Sequence, residues 1–162
     1  MGDLELGLIG NCQVSALVDP RGTIVWGCFP RFDGEPVFSR LVDGDGDGDG
    51  ERGQFAIELQ DPESSRQYYL RNTPILCTEL HDRHGGSLRI TDFAPRFAQY
   101  GRRFRPVMLV RRVEVTGGNP VVRVRLRPNA GYGADEHAVT QGSNHVRFVF
   151  DDQVLRLTTD AP

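Results

Sequence analysis

Along this chain, apolar and polar positions alternate with a period of two far more often than with the 3.6-residue period of a helix. No window longer than about ten residues keeps apolar side chains at i, i+3, i+4 and i+7 without meeting Gly or Pro. The pattern predicts strands at Leu4–Ile9, Val14–Val18, Thr23–Cys28, Phe55–Leu59, Ile75–Leu80, Ser87–Phe93, Val107–Val115, Val121–Arg127, His145–Phe150 and Val154–Thr158. Turn signals separate them, among them Asp19-Pro20-Arg21-Gly22, His84-Gly85-Gly86, Gly117-Gly118-Asn119-Pro120 and Asp151-Asp152-Gln153. Many short strands joined as hairpins predict an all-β fold, an antiparallel β-sandwich rather than a βαβ sheet.

The first hairpin carries enough signal to predict a register. In Asp19-Pro20-Arg21-Gly22, Pro20 pre-sets the first turn residue and Gly22 can take positive φ, which suits a bulged type I turn. That turn pairs Val18 with Ile24, Ala16 with Trp26 and Val14 with Cys28, all on one apolar face. Trp26, the single tryptophan, is therefore expected in the core. In Val121–Arg127, Val122, Val124 and Leu126 are expected to face the core, with Arg123, Arg125 and Arg127 opposite.

Composition adds bounds. The 162 residues suit one domain and fall short of the roughly 250 of a large catalytic barrel. No apolar run approaches the ~20 residues that span a bilayer, so no membrane partner is expected. The start, Met1-Gly2-Asp3-Leu4-Glu5, is acidic where a secretory leader is basic. Three cysteines without C-x-x-C spacing indicate neither a disulfide framework nor zinc, and a cytoplasmic setting is expected. All 19 basic residues are arginine. Residues 1–63 hold 13 acids and 4 arginines, whereas residues 96–127 hold 9 arginines and one acid. An arginine stripe is the footprint of a nucleic-acid groove, but the net charge of −3 and the lack of a nucleic-acid motif argue against one. An outer or interdomain face is expected instead.

Asp43, Asp45 and Asp47, with Gly48, fit the first half of an EF-hand loop, yet Gln54 stands where the bidentate Glu belongs. The segment is read as a flexible acidic loop, with Asp43, Asp45, Asp47 and Asp49 as a weak calcium alternative. No other metal and no cofactor is indicated. His81, His84, His137 and His145 lack metal-ligand spacing.

Several strings together resemble a known family. Leu8-Ile9-Gly10-Asn11-Cys12 leads to Ala16-Leu17-Val18 and Gly22-Thr23-Ile24-Val25-Trp26. Cys28-Phe29-Pro30-Arg31-Phe32-Asp33 and Val37-Phe38-Ser39-Arg40-Leu41-Val42-Asp43 follow, then Tyr69-Leu70-Arg71-Asn72-Thr73 and Thr91-Asp92-Phe93-Ala94-Pro95-Arg96. This succession resembles the N-terminal domain of bacterial glycoside hydrolase family 15 proteins, the glucoamylase and trehalase-like enzymes. It spans nearly the whole chain, and the Trp26-to-Asp33 stretch is its most specific part. Val25, Gly27 and the Asp-Gly run depart from the family's pattern.

The resemblance implies that residues 1–162 form a β-sandwich of the supersandwich type, expected to be truncated at its C-terminal edge. It implies a helical (α/α)6 catalytic domain as partner, absent from this chain. Such a barrel hydrolyses an α-glucoside carbohydrate with inversion, using two glutamates of its own. No residue here is assigned as general acid or base, and the chain alone is expected to be inactive. Single carboxylates near aromatic residues, Asp33, Glu35, Asp82 and Asp92, are read as turn or surface groups. Pro30, Arg31, Phe32 and Asp33, with Asp92 and Arg96, are the candidates for a domain interface or the rim of the sugar site. An internal Arg31–Asp33 contact that merely shapes the loop is an equal alternative. Rival readings are a stand-alone carbohydrate-binding module, disfavoured by the core position expected for Trp26, and a homo-oligomeric interaction module.

Overall fold

The computed structural model describes residues 5–43, 52–133 and 137–160. Its strands are β1 (Gly7–Gly10), β2 (Ser15–Val18), β3 (Ile24–Cys28), β4 (Pro36–Phe38), β5 (Gln54–Leu59), β6 (Pro62–Tyr69), β7 (Leu76–Asp82) and β8 (Ser87–Phe93). They continue as β9 (Phe97–Gln99), β10 (Arg102–Phe104), β11 (Val110–Gly117), β12 (Val122–Arg127), β13 (Ala138–Gln141), β14 (His145–Val149) and β15 (Val154–Thr158). A one-turn helix, α1 (Arg40–Asp43), follows β4. One sheet runs β1-β2-β3-β5-β12 with β4 added on β3, and a second runs β11-β8-β7-β6. Strands β13-β14-β15 form a third sheet and β9-β10 a separate hairpin. The fold is all-β and antiparallel, as the alternation predicts.

The two larger sheets enclose the core. Ile9, Val14, Ala16, Val18, Ile24, Val37 and Phe38 from the first sheet and its loops meet Leu76 and Ala94. Further along, Ile57 and Leu59 of β5 pack on Leu80, Leu88 and Ile90 of β7 and β8. Each fully buried Ile or Leu contributes roughly 1.5–3 kcal/mol. The third sheet joins through Phe148, Phe150 and Ala130, packed with Leu126 and Leu155.

One charged side chain crosses the core. Asp92 on β8 is 0% exposed and pairs with Arg111 on β11, itself 3% exposed, at 2.9 Å and 3.0 Å. Arg111 also donates to the carbonyl of Phe55 at 2.6 Å and to that of Gly22, both in the opposite sheet or its turn. Its guanidinium sits 4.6 Å from the centre of the Phe55 ring. The arginine thus reaches from one sheet to the other.

Two expectations need correction. Val18 pairs with Ile24 as predicted and Gly22 has φ 81°, but a bulge follows at once. Leu17 then faces Trp26, and Ala16 faces Gly27. Trp26 therefore lies half-buried on the face opposite Ala16 and Val18. The reason is steric: a Cβ on Gly27 would lie 3.1 Å from Phe38 and 3.5 Å from Ala16, leaving no room there for an indole. Inserting Val25 keeps both Ile24 and Val25 buried. The second correction concerns Val124, which is exposed rather than in the core. β12 ends its sheet, and only Val122 and Leu126 on that face find packing partners.

Candidate functional site

The loop between β3 and β4 starts from a buried anchor. Phe29 packs edge-on against Phe38, with ring centres 6.5 Å apart, and precedes a cis peptide bond to Pro30. Beyond it the chain turns back, with Gly34 N–H donating to Arg31 O at 3.1 Å. Phe32 N–H donates to Gln13 O at 3.0 Å, and the Gln13 amide donates to Pro30 O at 3.4 Å. The loop's backbone is thereby pinned while Pro30, Arg31, Phe32 and Asp33 stay exposed.

At its tip, Arg31 Nε and Nη2 donate to the two carboxylate oxygens of Asp33 at 2.9 Å and 2.7 Å. This bidentate geometry holds the Asp33 carboxyl below the usual carboxylate range. Asp33 in turn raises the guanidinium pKa.

Asn11 joins this loop to a second segment. It is buried, and its amide donates to Pro95 O and Pro106 O, both at 2.9 Å. Its Oδ1 accepts from the N–H groups of Gln13 and Val14 at 2.9 Å and 3.1 Å. Gln13 contacts the 30–32 backbone and Asn11 holds Pro95, so Pro30, Arg31, Phe32 and Asp33 share one region with exposed Arg96. Arg96 leads into the β9–β10 hairpin, where Phe97 stacks on Phe104 at 5.5 Å and Tyr100 is 90% exposed. Asp92 does not belong to that exposed region; it is consumed in the pair with Arg111. Asn11 enters the sequence reading only within the Leu8–Cys12 string, and nothing in the sequence signals its bridging role.

The other candidate groups have structural partners. Asp82 accepts from the N–H groups of His84 and Gly86 at 2.8 Å and 2.7 Å, closing the β7–β8 turn. His84 lies 3.5 Å from Asp61, and His137 packs against Phe148 and Phe150. Arg89, Arg112 and Arg125 pair with Glu79, Glu114 and Glu58, while Arg111 is interior, so the arginines form no single stripe. Asp45, Asp47 and Asp49 and the side chain of Asp43 lie outside the described residues. Among the described residues, no cluster of three His, Cys, Asp or Glu could hold a metal ion. No helix there is long and apolar enough to cross a membrane.

Sharing no lining residue with the loop, an open cleft of about 350 Å³ is walled by Gly7, Pro20, Gln67, Tyr69 and Leu76. Two of its polar side chains are already engaged. Gln67 donates to Asp19 O and to Thr78 Oγ1, and the Tyr69 hydroxyl bonds to both backbone groups of Leu8.

Fold and loop together define an all-β sandwich domain with one pinned, exposed loop face. Residues 4–160 match the family described as trehalase-like, N-terminal. The chain belongs to that family. It is 30% identical to a trehalase of Thermoplasma volcanium over 96% of its own length and 24% of that protein. To a trehalase of Thermoplasma acidophilum it is 34% identical, over 89% of this chain and 24% of the relative. Trehalase 1 of Sulfolobus acidocaldarius is 38% identical over 59% of this chain and 16% of that protein. The chain thus spans about a quarter or less of these relatives. No solved structure matches it.

Proposed function

We propose that this chain is the N-terminal β-sandwich domain of an inverting α-glucoside hydrolase of glycoside hydrolase family 15, with trehalose as the favoured substrate over a glucoamylase's glucan. Its partner is a helical catalytic domain carrying the acid and base that protonate the leaving oxygen and activate water. The domain packs on that partner through the Pro30–Asp33 loop and the Arg96 segment, supporting and orienting it. The observation that carries this reading is the family match over residues 4–160, together with relatives named trehalase of which this region is only a part. The loop supports the contact role because it is fixed at its base and open at its tip. The Arg31–Asp33 pair engages two of the five guanidinium N–H donors, so Arg31 can also meet a sugar hydroxyl at the rim of the partner's pocket. The three thiols, Cys12, Cys28 and Cys77, suit a cytoplasmic setting. The isolated chain is expected to turn over no α-glucoside.

The test is Arg31→Ala and Asp33→Ala in the full-length polypeptide. A fall of about tenfold or more in kcat/KM for trehalose at unchanged melting temperature supports the rim role. Unchanged turnover in a normally stable variant reduces the pair to a loop brace.

A further inference from the structure

β11 ends its sheet, and among the described residues no strand pairs with its outward edge. It is eight residues long, Val110–Gly117. Val113 and Val115 share the inner face with Arg111, yet they are 41% and 61% exposed. Open edges are commonly guarded by charge. A guard of one sign repels a second copy of itself. Here the charges flanking Val113 are Arg112 and Glu114, opposite in sign and 2.7 Å apart along the strand.

We propose that β11 is a dimerisation edge, pairing antiparallel with β11 of a second copy of this chain about a two-fold axis at Val113. Directly opposed residues in an antiparallel pair point to the same face. A two-fold axis normal to the sheet must therefore lie level with one residue, midway between it and its own copy, and not level with the gap between successive residues. An axis at Arg112 opposes two arginines, and one at Glu114 opposes two glutamates. An axis at Val113 opposes valine to valine and sets Arg112 against Glu114 of the second copy, twice over. The same operation on β12 opposes arginine to arginine with the axis at Val124, Arg125 or Leu126, so that edge resists self-pairing. The pairing joins two four-stranded sheets into one and covers the exposed valines. It is independent of any hydrolase partner.

Light scattering or sedimentation of the purified chain at high micromolar concentration tests this. The expected mass is twice the 18.1 kDa of the chain. Arg112→Glu, an exposed change, opposes glutamates twice and raises the dissociation constant by about tenfold or more. Glu114→Arg does the same with arginines. Combining Arg112→Glu with Glu114→Arg restores the dimer. A monomeric wild type overturns the proposal. So does a dimer indifferent to both single changes, or one that the double change fails to recover.

Discussion

Replacing Asp92 by alanine would leave the Arg111 guanidinium charged, 3% exposed and stripped of its two carboxylate contacts at 2.9 Å and 3.0 Å. The carbonyls of Phe55 and Gly22 and the Phe55 ring stay in place, but they carry no opposing charge. Removing one partner from a pair this deeply buried costs about 3–5 kcal/mol. For a chain of this size that lowers the melting temperature by roughly 6–20 °C. Arg111→Met should cost a similar amount, because it strands the Asp92 carboxylate. The double variant, Asp92→Ala with Arg111→Met, removes both charges and should cost about 2 kcal/mol less than the two singles added together. Urea unfolding followed by circular dichroism gives all three values. An Asp92→Ala cost under about 1 kcal/mol, or strict additivity in the double variant, would refute the argument that the pair is electrostatically coupled in a dry interior.

Other outcomes follow from individual contacts. Asn11→Ala removes four hydrogen bonds and should cost about 2–6 kcal/mol at roughly 0.5–1.5 kcal/mol each, with amide-exchange protection lost at Gln13 and Val14; retained protection there would contradict it. In the isolated domain, Arg31→Ala and Asp33→Ala should leave the melting temperature unmoved, since both side chains are exposed. The Tyr68 hydroxyl, and then Arg89, hold the Glu79 carboxyl below the usual glutamate range, so its stabilisation is present above about pH 4.3 and is lost as pH falls through the folded value. Tyr68→Phe should raise the Glu79 midpoint in an NMR titration of its carboxyl carbon; an unmoved midpoint would exclude the hydroxyl as the main cause. Glu79 in turn raises the Tyr68 phenol pKa, so that contribution persists below about pH 10 and declines as alkali titrates the folded tyrosine.

What the sequence revealed depended on whether burial left an alternating trace. All ten predicted strands have counterparts, and Ser87–Phe93 and Val154–Thr158 match residue for residue. β6 escaped notice because Pro62–Tyr69 is a polar edge strand with almost no buried side chain. The β9–β10 hairpin was hidden by its turn. Tyr100 and Gly101 both take positive φ, at 51° and 71°, without the Asn-Gly pair that usually announces such a turn. The Pro30–Asp33 loop and Arg96 stood as interface candidates beside the resemblance, whereas Asn11, within the Leu8–Cys12 string, carried no role. Asp92 carried a signal that was not used. In Ser87–Phe93 it shares a face with Leu88 and Ile90, and an acid on an apolar face demands a buried cation. Arg111 shares its face with Val113 and Val115 in the same way, although charge alone suggested an outer stripe.

The link from Arg111 to Gly22 and Phe55 also acts as a clamp against sliding. An arginine rooted in one sheet and gripping two carbonyls of the other fixes how far the layers can shear. The two stretches of the exposed face leave from opposite layers, the Pro30–Asp33 loop from β3 and the Pro95–Arg96 segment from β8 just beyond Asp92. Their spacing is therefore set by two buried side chains, Arg111 bridging the sheets and Asn11 beneath the two loops. Loosening the interior pair would shift these two exposed stretches relative to each other, without altering a single residue on either.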